Sequence, residues 1–213
     1  MNLHRLIAEG EHQQQDFKFE ITSACKIARS LSAFANTDGG RLLIGVKDNG
    51  TIAGVRSDEE MYMVEAAGEV WCDPPVHCHM TAYRVASPSS AHETRTVVVA
   101  QIDPAMQRPV RAKLEDGTFR AFVRIADENI VASPVQMELW RSEGMAVGTL
   151  VSFTDAERSL LTLLAASGPI SLNQFCRRAR VSRHRAVRLL AAFIRFGLAN
   201  ESFQNHTFLY SAT

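Results

Sequence analysis

The sequence predicts an α+β protein. A mixed, mostly antiparallel sheet with flanking helices is followed by a small winged helix-turn-helix domain. Three observations predict it. Short alternating apolar runs and two helix-period segments share the first 140 or so residues. Three helix-period segments and a short pair of strands follow. The charge also divides. Residues 154–213 carry eight arginines, no lysine and three acids, a net +5, so a formally neutral chain holds a basic segment after one of net −5.

The first part opens on a polar stretch, then Asp16-Phe17-Lys18-Phe19, whose two phenylalanines share one side of a strand. Residues 21–36 have helical spacing, with Ile21, Ala24, Ala28, Leu31 and Ala35 on one face, and stop at Asn36-Thr37-Asp38-Gly39-Gly40. A compact apolar strand spans 41–46. Asp48-Asn49-Gly50 is a hairpin turn, because Asn-Gly accepts the positive φ that tight hairpins need, and 51–55 is the return strand. Ser57 caps a helix over 58–71, which Asp73-Pro74-Pro75 ends. Strands are expected at 79–85, 95–102 and 119–125, with an extended piece near Val110 and a short helix over 133–140. These elements define a domain over residues 1–141, and the two-glycine stretch 142–152 is a linker.

The second domain spans 153–213. Thr154-Asp155-Ala156-Glu157 is a capping box before a helix reaching Ala166, which Gly168-Pro169 breaks. Ser171-Leu172-Asn173-Gln174 starts a second helix. Val181-Ser182 turns into a third over 183–196, which stops at Gly197, and 199–210 forms a β-wing with Gln204-Asn205-His206 at its tip. On the third helix Val187, Leu190, Ala191 and Ile194 make the expected core stripe, while Arg185, Arg188 and Arg195 take another face.

The start of such a helix reaches base edges, which places Arg183, His184, Arg185 and Arg188 as readers. Arg177, Arg178 and Arg180, just before the turn, are expected on the phosphate backbone. A solvated arginine face on a protein-docking module is the bland alternative. The density of arginine favours nucleic acid, DNA over RNA.

Residues 1–15 are polar and no apolar run approaches the ~18 residues of a membrane span, which predicts a cytoplasmic protein with no membrane partner. Symmetry base rates point to a homodimer. Cys72, His77, Cys78 and His79 cluster without a zinc-site spacing, and read as core thiols and surface imidazoles. Gly39-Gly40 and Gly45 lack the following Lys-Ser/Thr of a phosphate loop.

One resemblance is specific. Residues 11–18, Glu-His-Gln-Gln-Gln-Asp-Phe-Lys, and the 32–55 block containing Phe34-Ala35-Asn36-Thr37-Asp38-Gly39-Gly40 and Ile44-Gly45-Val46-Lys47-Asp48-Asn49-Gly50 closely resemble the AlbA_2 domain of the Schlafen family. Phe122-Val123-Arg124 with Asn129 is a weaker echo of a later family stretch. Some Schlafen proteins are endoribonucleases. The resemblance implies that Glu11, Asp16 and Asp48 correspond to their acidic triad, holding Mg²⁺ or Mn²⁺, with Lys18 on the scissile phosphate. The structural alternative makes Asp48 a turn former and Glu11 and Asp16 surface acids. The leading expectation is a DNA-binding transcriptional regulator, the second a metal-dependent nuclease, the third a non-catalytic interaction module.

Overall fold

The computed structural model describes residues 2–55, 58–87, 90–143 and 154–213. The chain divides into two compact units, Met1–Ala132 and Ser133–Thr213.

The first unit runs α1 (Leu3–Glu9), β1 (Gln15–Lys18), α2 (Ala24–Asn36), β2 (Gly40–Ile44), α3 (Glu59–Val70), β3 (Cys72–Asp73), β4 (Cys78–Ser87), β5 (Ser90–Ile102), β6 (Arg111–Lys113), β7 (Phe119–Ile125) and β8 (Glu128–Val131). The strands form two sheets, ordered β1-β2-β5-β4 and β3-β6-β7-β8. Among the described residues only β1 and β2 pair in parallel. A parallel pair needs a crossover, and α2 supplies it.

Alternation along the strands splits the apolar residues between two cores. Leu42, Ile44, Val98 and Ala100 join Leu31 and Phe34 of α2. Leu43, Val97 and Val99 join Phe17 and the α1 residues Leu3 and Leu6. The first sheet is therefore covered on both faces. α2 packs against strands of both sheets, and ten of its thirteen residues are buried, which is why it is built mainly from Ala, Ser, Leu and Ile.

Two polar residues of α2 do structural work. Asn36 Nδ2 donates to Val110 O at 2.7 Å and Phe122 O at 2.9 Å, and its Oδ1 accepts from Val110 N–H at 2.8 Å. Ser32 Oγ, one turn earlier, donates to Val110 O at 2.8 Å and accepts from Phe122 N–H at 3.1 Å. The glycines after the helix are steric. A Cβ on Gly40 would stand 2.4 Å from the Phe34 ring, and one on Gly39, at φ +70°, would meet Ile102 O at 2.7 Å.

Several expectations need correction. Residues 3–9, read as a polar stretch, form α1, capped by Asn2, whose Oδ1 accepts from His4 N–H. The return strand at 51–55 is a single bridge, Val46 with Ile52. Gly45 O instead accepts from both Ala53 and Gly54 N–H at 2.8 Å, which closes a loop rather than a ladder. The Asn49-Gly50 turn is present, with Gly50 at φ +79°. Ser57 lies outside the described residues, and Asp58 is the N-cap of α3.

The second unit contains α4 (Pro134–Ser142), α5 (Asp155–Ser167), β9 (Ile170–Ser171), α6 (Leu172–Ala179), α7 (Arg183–Arg195), β10 (Ala199–Gln204) and β11 (Thr207–Ala212). β11 pairs with both β10 and β9 in a three-stranded antiparallel sheet. Capping boxes start α5 and α6. The helix over 133–142, assigned from sequence to the first domain, packs against α7, with Val135 fully buried in the second unit's core. The expected 142–152 linker falls almost wholly outside the described residues. With α4 against it, α7 buries a wider arc than a single stripe: Ala186, Leu190, Ala191 and Phe193 are buried, while Val187 and Ile194 are half-buried.

Asn36→Ala would strand Val110 N–H in the core and take a donor from Val110 O and Phe122 O, leaving Val110 O with Ser32 Oγ. It is expected to cost about 2–4 kcal/mol in urea unfolding, with the slope against urea unchanged.

Candidate nucleic-acid interface

The arginines at the start of α7 diverge. Ser182 caps the helix by accepting from Arg185 N–H at 3.3 Å. Arg183 Nη1 donates to Asn173 Oδ1 of α6 at 2.7 Å. Arg185 Nη2 donates to Thr154 Oγ1 at the start of α5 at 3.0 Å. Burial pushes the Glu157 carboxyl up, but the Thr154 hydroxyl, backbone hydrogen bonds and the Arg185 charge together hold it below the ordinary range. His184 and Arg188 are exposed on α7's outer arc, with no acidic partner among the described residues. Arg177, Arg178 and Arg180 are exposed on α6 and its C-cap. Arg180 takes the left-handed conformation at φ +52°, and Arg178 Nη1 donates to Ser167 Oγ at 3.0 Å.

The wing was expected to turn at Gln204-Asn205-His206, and Asn205 and His206 both have positive φ. At its base, Ser133 Oγ and Tyr210 Oη donate to Glu201 Oε1 at 2.7 and 2.9 Å. Burial pushes the Glu201 carboxyl up despite both donors, and burial beside Glu201 pushes the Tyr210 phenol up. Ser133 is also the N-cap of α4. One carboxyl thus ties the β10–β11 hairpin to α4, and nothing in the linear sequence signals it.

In the first unit the predicted acids separate. Asp16 is buried. Its Oδ2 meets Lys18 Nζ at 2.7 Å and accepts from Ser30 Oγ at 3.3 Å, and its Oδ1 lies 3.5 Å from Arg124 Nη2. Arg124 is 2% exposed, donates to Asn129 Oδ1 at 3.0 Å and Gln15 O at 3.1 Å, and lies 5.1 Å above the Phe34 ring. Asn129 Nδ2 donates to Ser30 Oγ at 2.9 Å, closing a ring of four side chains. Glu11 joins from one side. Its Oε1 accepts from Phe17 N–H at 2.9 Å, and burial, then the hydrogen bond and charge of Asp16, raise its pKa. Asp48 sits in the exposed turn after β2.

Among the described residues no group of three or more His, Cys, Asp or Glu side chains is placed to hold a metal ion, so no metal-centred step is derived. The same holds at Cys72 and Cys78. Burial pushes both thiols to about 12, which leaves them protonated and inert near neutral pH. The roles of Arg124, Asn129 and Ser30 were not read from sequence. The first two stand in the Phe122-Val123-Arg124…Asn129 stretch, which was noted there only as a resemblance.

These features have relatives. The Schlafen AlbA_2 family model matches residues 11–133, more than half of the chain, and the chain belongs to that family. Membership fits a nucleic-acid-binding protein. The crystal structure of the DIP2311 protein from Corynebacterium diphtheriae matches 92% of this chain at 17% identity, with a TM-score of 0.49. The chain spans 34% of the length of that protein. No curated protein matches the chain. Among the described residues no helix is long and apolar enough to cross a membrane.

Arg124→Ala would leave Asp16 buried without its guanidinium. It is expected to destabilise the first unit by about 3–5 kcal/mol in chemical unfolding. Because the Glu201 pKa is raised by folding, its charged form opposes the fold above the folded pKa, and that cost fades as pH falls toward 4.5. Glu201→Gln is therefore expected to melt higher than the wild type at pH 8, with the gap closing on acidification. A pH series of melting temperatures for the two proteins reads this.

Proposed function

We propose that this protein is a DNA-binding transcriptional regulator whose second unit is a winged helix-turn-helix. The order helix, strand, helix, helix, hairpin from α5 to β11 supports that reading. α7 is its recognition helix and β10–β11 its wing. The observation that carries the proposal is α7's outer arc. His184 and Arg188 stand there exposed and without an acidic partner among the described residues, on a segment of net +5. Arginine can contact guanine O6 and N7 bidentately in the major groove. Arg185 lies beside them and is held by Thr154, while Arg177, Arg178 and Arg180 border the turn and supply phosphate contacts. Two copies on a two-fold site would set their recognition helices about 34 Å apart.

The nuclease reading has less behind it. Glu11 and Asp16 adjoin with Lys18 beside them, but Asp16 is already engaged by Lys18, Ser30 and Arg124. Mn²⁺-dependent cleavage of labelled RNA or DNA, lost in Glu11→Ala/Asp48→Ala, would favour it instead.

Selection from a random duplex pool, followed by titration of the preferred sequence, tests the regulator. Arg188→Ala is expected to weaken that duplex by roughly 5- to 150-fold and to relax the preference at one position. A protein that retains no duplex at low salt is not this regulator.

A further inference from the structure

The sequence groups Arg183 with the base-reading residues of α7, but the structure turns it elsewhere. Its guanidinium reaches α6 at Asn173, and its charge is felt at the Tyr210 phenol at the base of the wing. Two adjoining grooves, of about 210 and 480 Å³, share Asn173 and Arg183 in their walls. The smaller is also lined by His206 and Thr207 of the β10–β11 hairpin, the larger by Arg177. Among the described residues no carboxylate lines either groove, though Glu201 stands behind the smaller one and accepts from its wall residues Ser133 and Tyr210. Asn173 spends its carbonyl oxygen on Arg183 and leaves its amide nitrogen, a pure donor, without a partner among the described residues.

We infer that this groove is a separate phosphate site, which seats one phosphodiester of the DNA strand between α6 and the wing. Arg183 is its anchor, with Asn173 and Arg177 as supporting donors. The inference rests on the winged-helix reading above and assigns Arg183 a different part in it. The walls supply cationic and neutral donors, which suits an oxyanion. The Arg183–Asn173 bond fixes the guanidinium fork before any ligand arrives, so less side-chain freedom is lost on binding. A phosphate carries no base identity, so Arg183 adds affinity without sequence preference, whereas Arg188 adds both.

Duplex titrations at several salt concentrations test this, using the preferred and a scrambled sequence. Arg183→Ala is expected to weaken both duplexes by the same factor, about tenfold, and to lower the slope of log affinity against log salt by about 1. Arg183→Lys keeps a charge and is expected to recover most of that slope. Replacing single phosphates by uncharged methylphosphonates should reveal one position where the wild type loses affinity and Arg183→Ala does not. Melting curves of the three proteins guard against a folding defect.

Changed sequence preference in Arg183→Ala, an unchanged salt slope, or methylphosphonate losses equal in wild type and variant would each overturn the phosphate site. Duplex binding that survives Arg188→Ala but fails in Arg183→Ala would keep the groove and overturn base reading by α7. A wild type that binds no duplex would remove both.

Discussion

The first unit depends on burying one guanidinium. Arg124 is almost without solvent contact, and a charge in that position must be answered by partners or it does not fold. Its partners come from three elements: Asp16 and Gln15 on β1, the Phe34 ring and, through Asn129, Ser30 on α2, and Asn129 on β8. A one-residue slip of β7 against β8 would swing Arg124 to the opposite face and leave Asp16 with only Lys18 and the Ser30 hydroxyl. A buried pair of this kind is weak evidence for extra stability. Its use here is to make a single register the cheap one.

The residues before Asp16 extend the same logic. Gln13 donates to Arg124 O at 2.8 Å and accepts from Ala126 N–H at 2.9 Å, at the turn between β7 and β8. Gln15 donates to Leu6 O and Gly10 O and accepts from Arg41 Nε at 2.6 Å. The Glu-His-Gln-Gln-Gln-Asp run is thus a set of clamps on α1, β2 and β7, and Ser32 with Asn36 clamps the backbone at Val110 and Phe122. The two segments that mark the family are both architectural in this chain. That reframes the carboxylates: Asp16 earns its place as a counter-ion before any chemistry is asked of it, and Glu11 is raised by its neighbourhood.

What the sequence made legible follows from range. Periodicity and caps act within a few residues, and they located α2, α3, α5, α6, α7, β7 and the β10–β11 hairpin closely. The helix α1 was hidden because seven residues give barely two turns of pattern, and its signal is the Asn2 cap. The failed return strand turns on Gly45 and Gly54, whose backbones approach so closely that a Cβ on Gly45 would stand 2.7 Å from the Gly54 carbonyl carbon. The Asp16–Arg124 pair joins residues 108 positions apart, and no local pattern encodes that. The place of α4 is a similar case, because an amphipathic helix states that it needs a partner but not which unit provides it.

The same difference between local and distant information governs the candidate interface. Helical spacing correctly separated an apolar side of α7 from an arginine side, but it treats a helix as a cylinder with two faces. In the structure α7 is wedged by α4 along one flank, meets α5 at Arg185 and meets α6 at Arg183, so only a narrow arc stays open. Arginines three residues apart, Arg185 and Arg188, therefore differ in kind. Each side chain held by a neighbour has a fixed direction and has already given up rotamer freedom. Those left in the open arc, His184 and Arg188, must lose that freedom on contact with a ligand. A chain of zero net charge can still present a strong local cation, provided the positive groups are gathered on one unit and their counter-charges lie on the other. With nine arginines against five acids over residues 133–213, that condition is met here by composition alone.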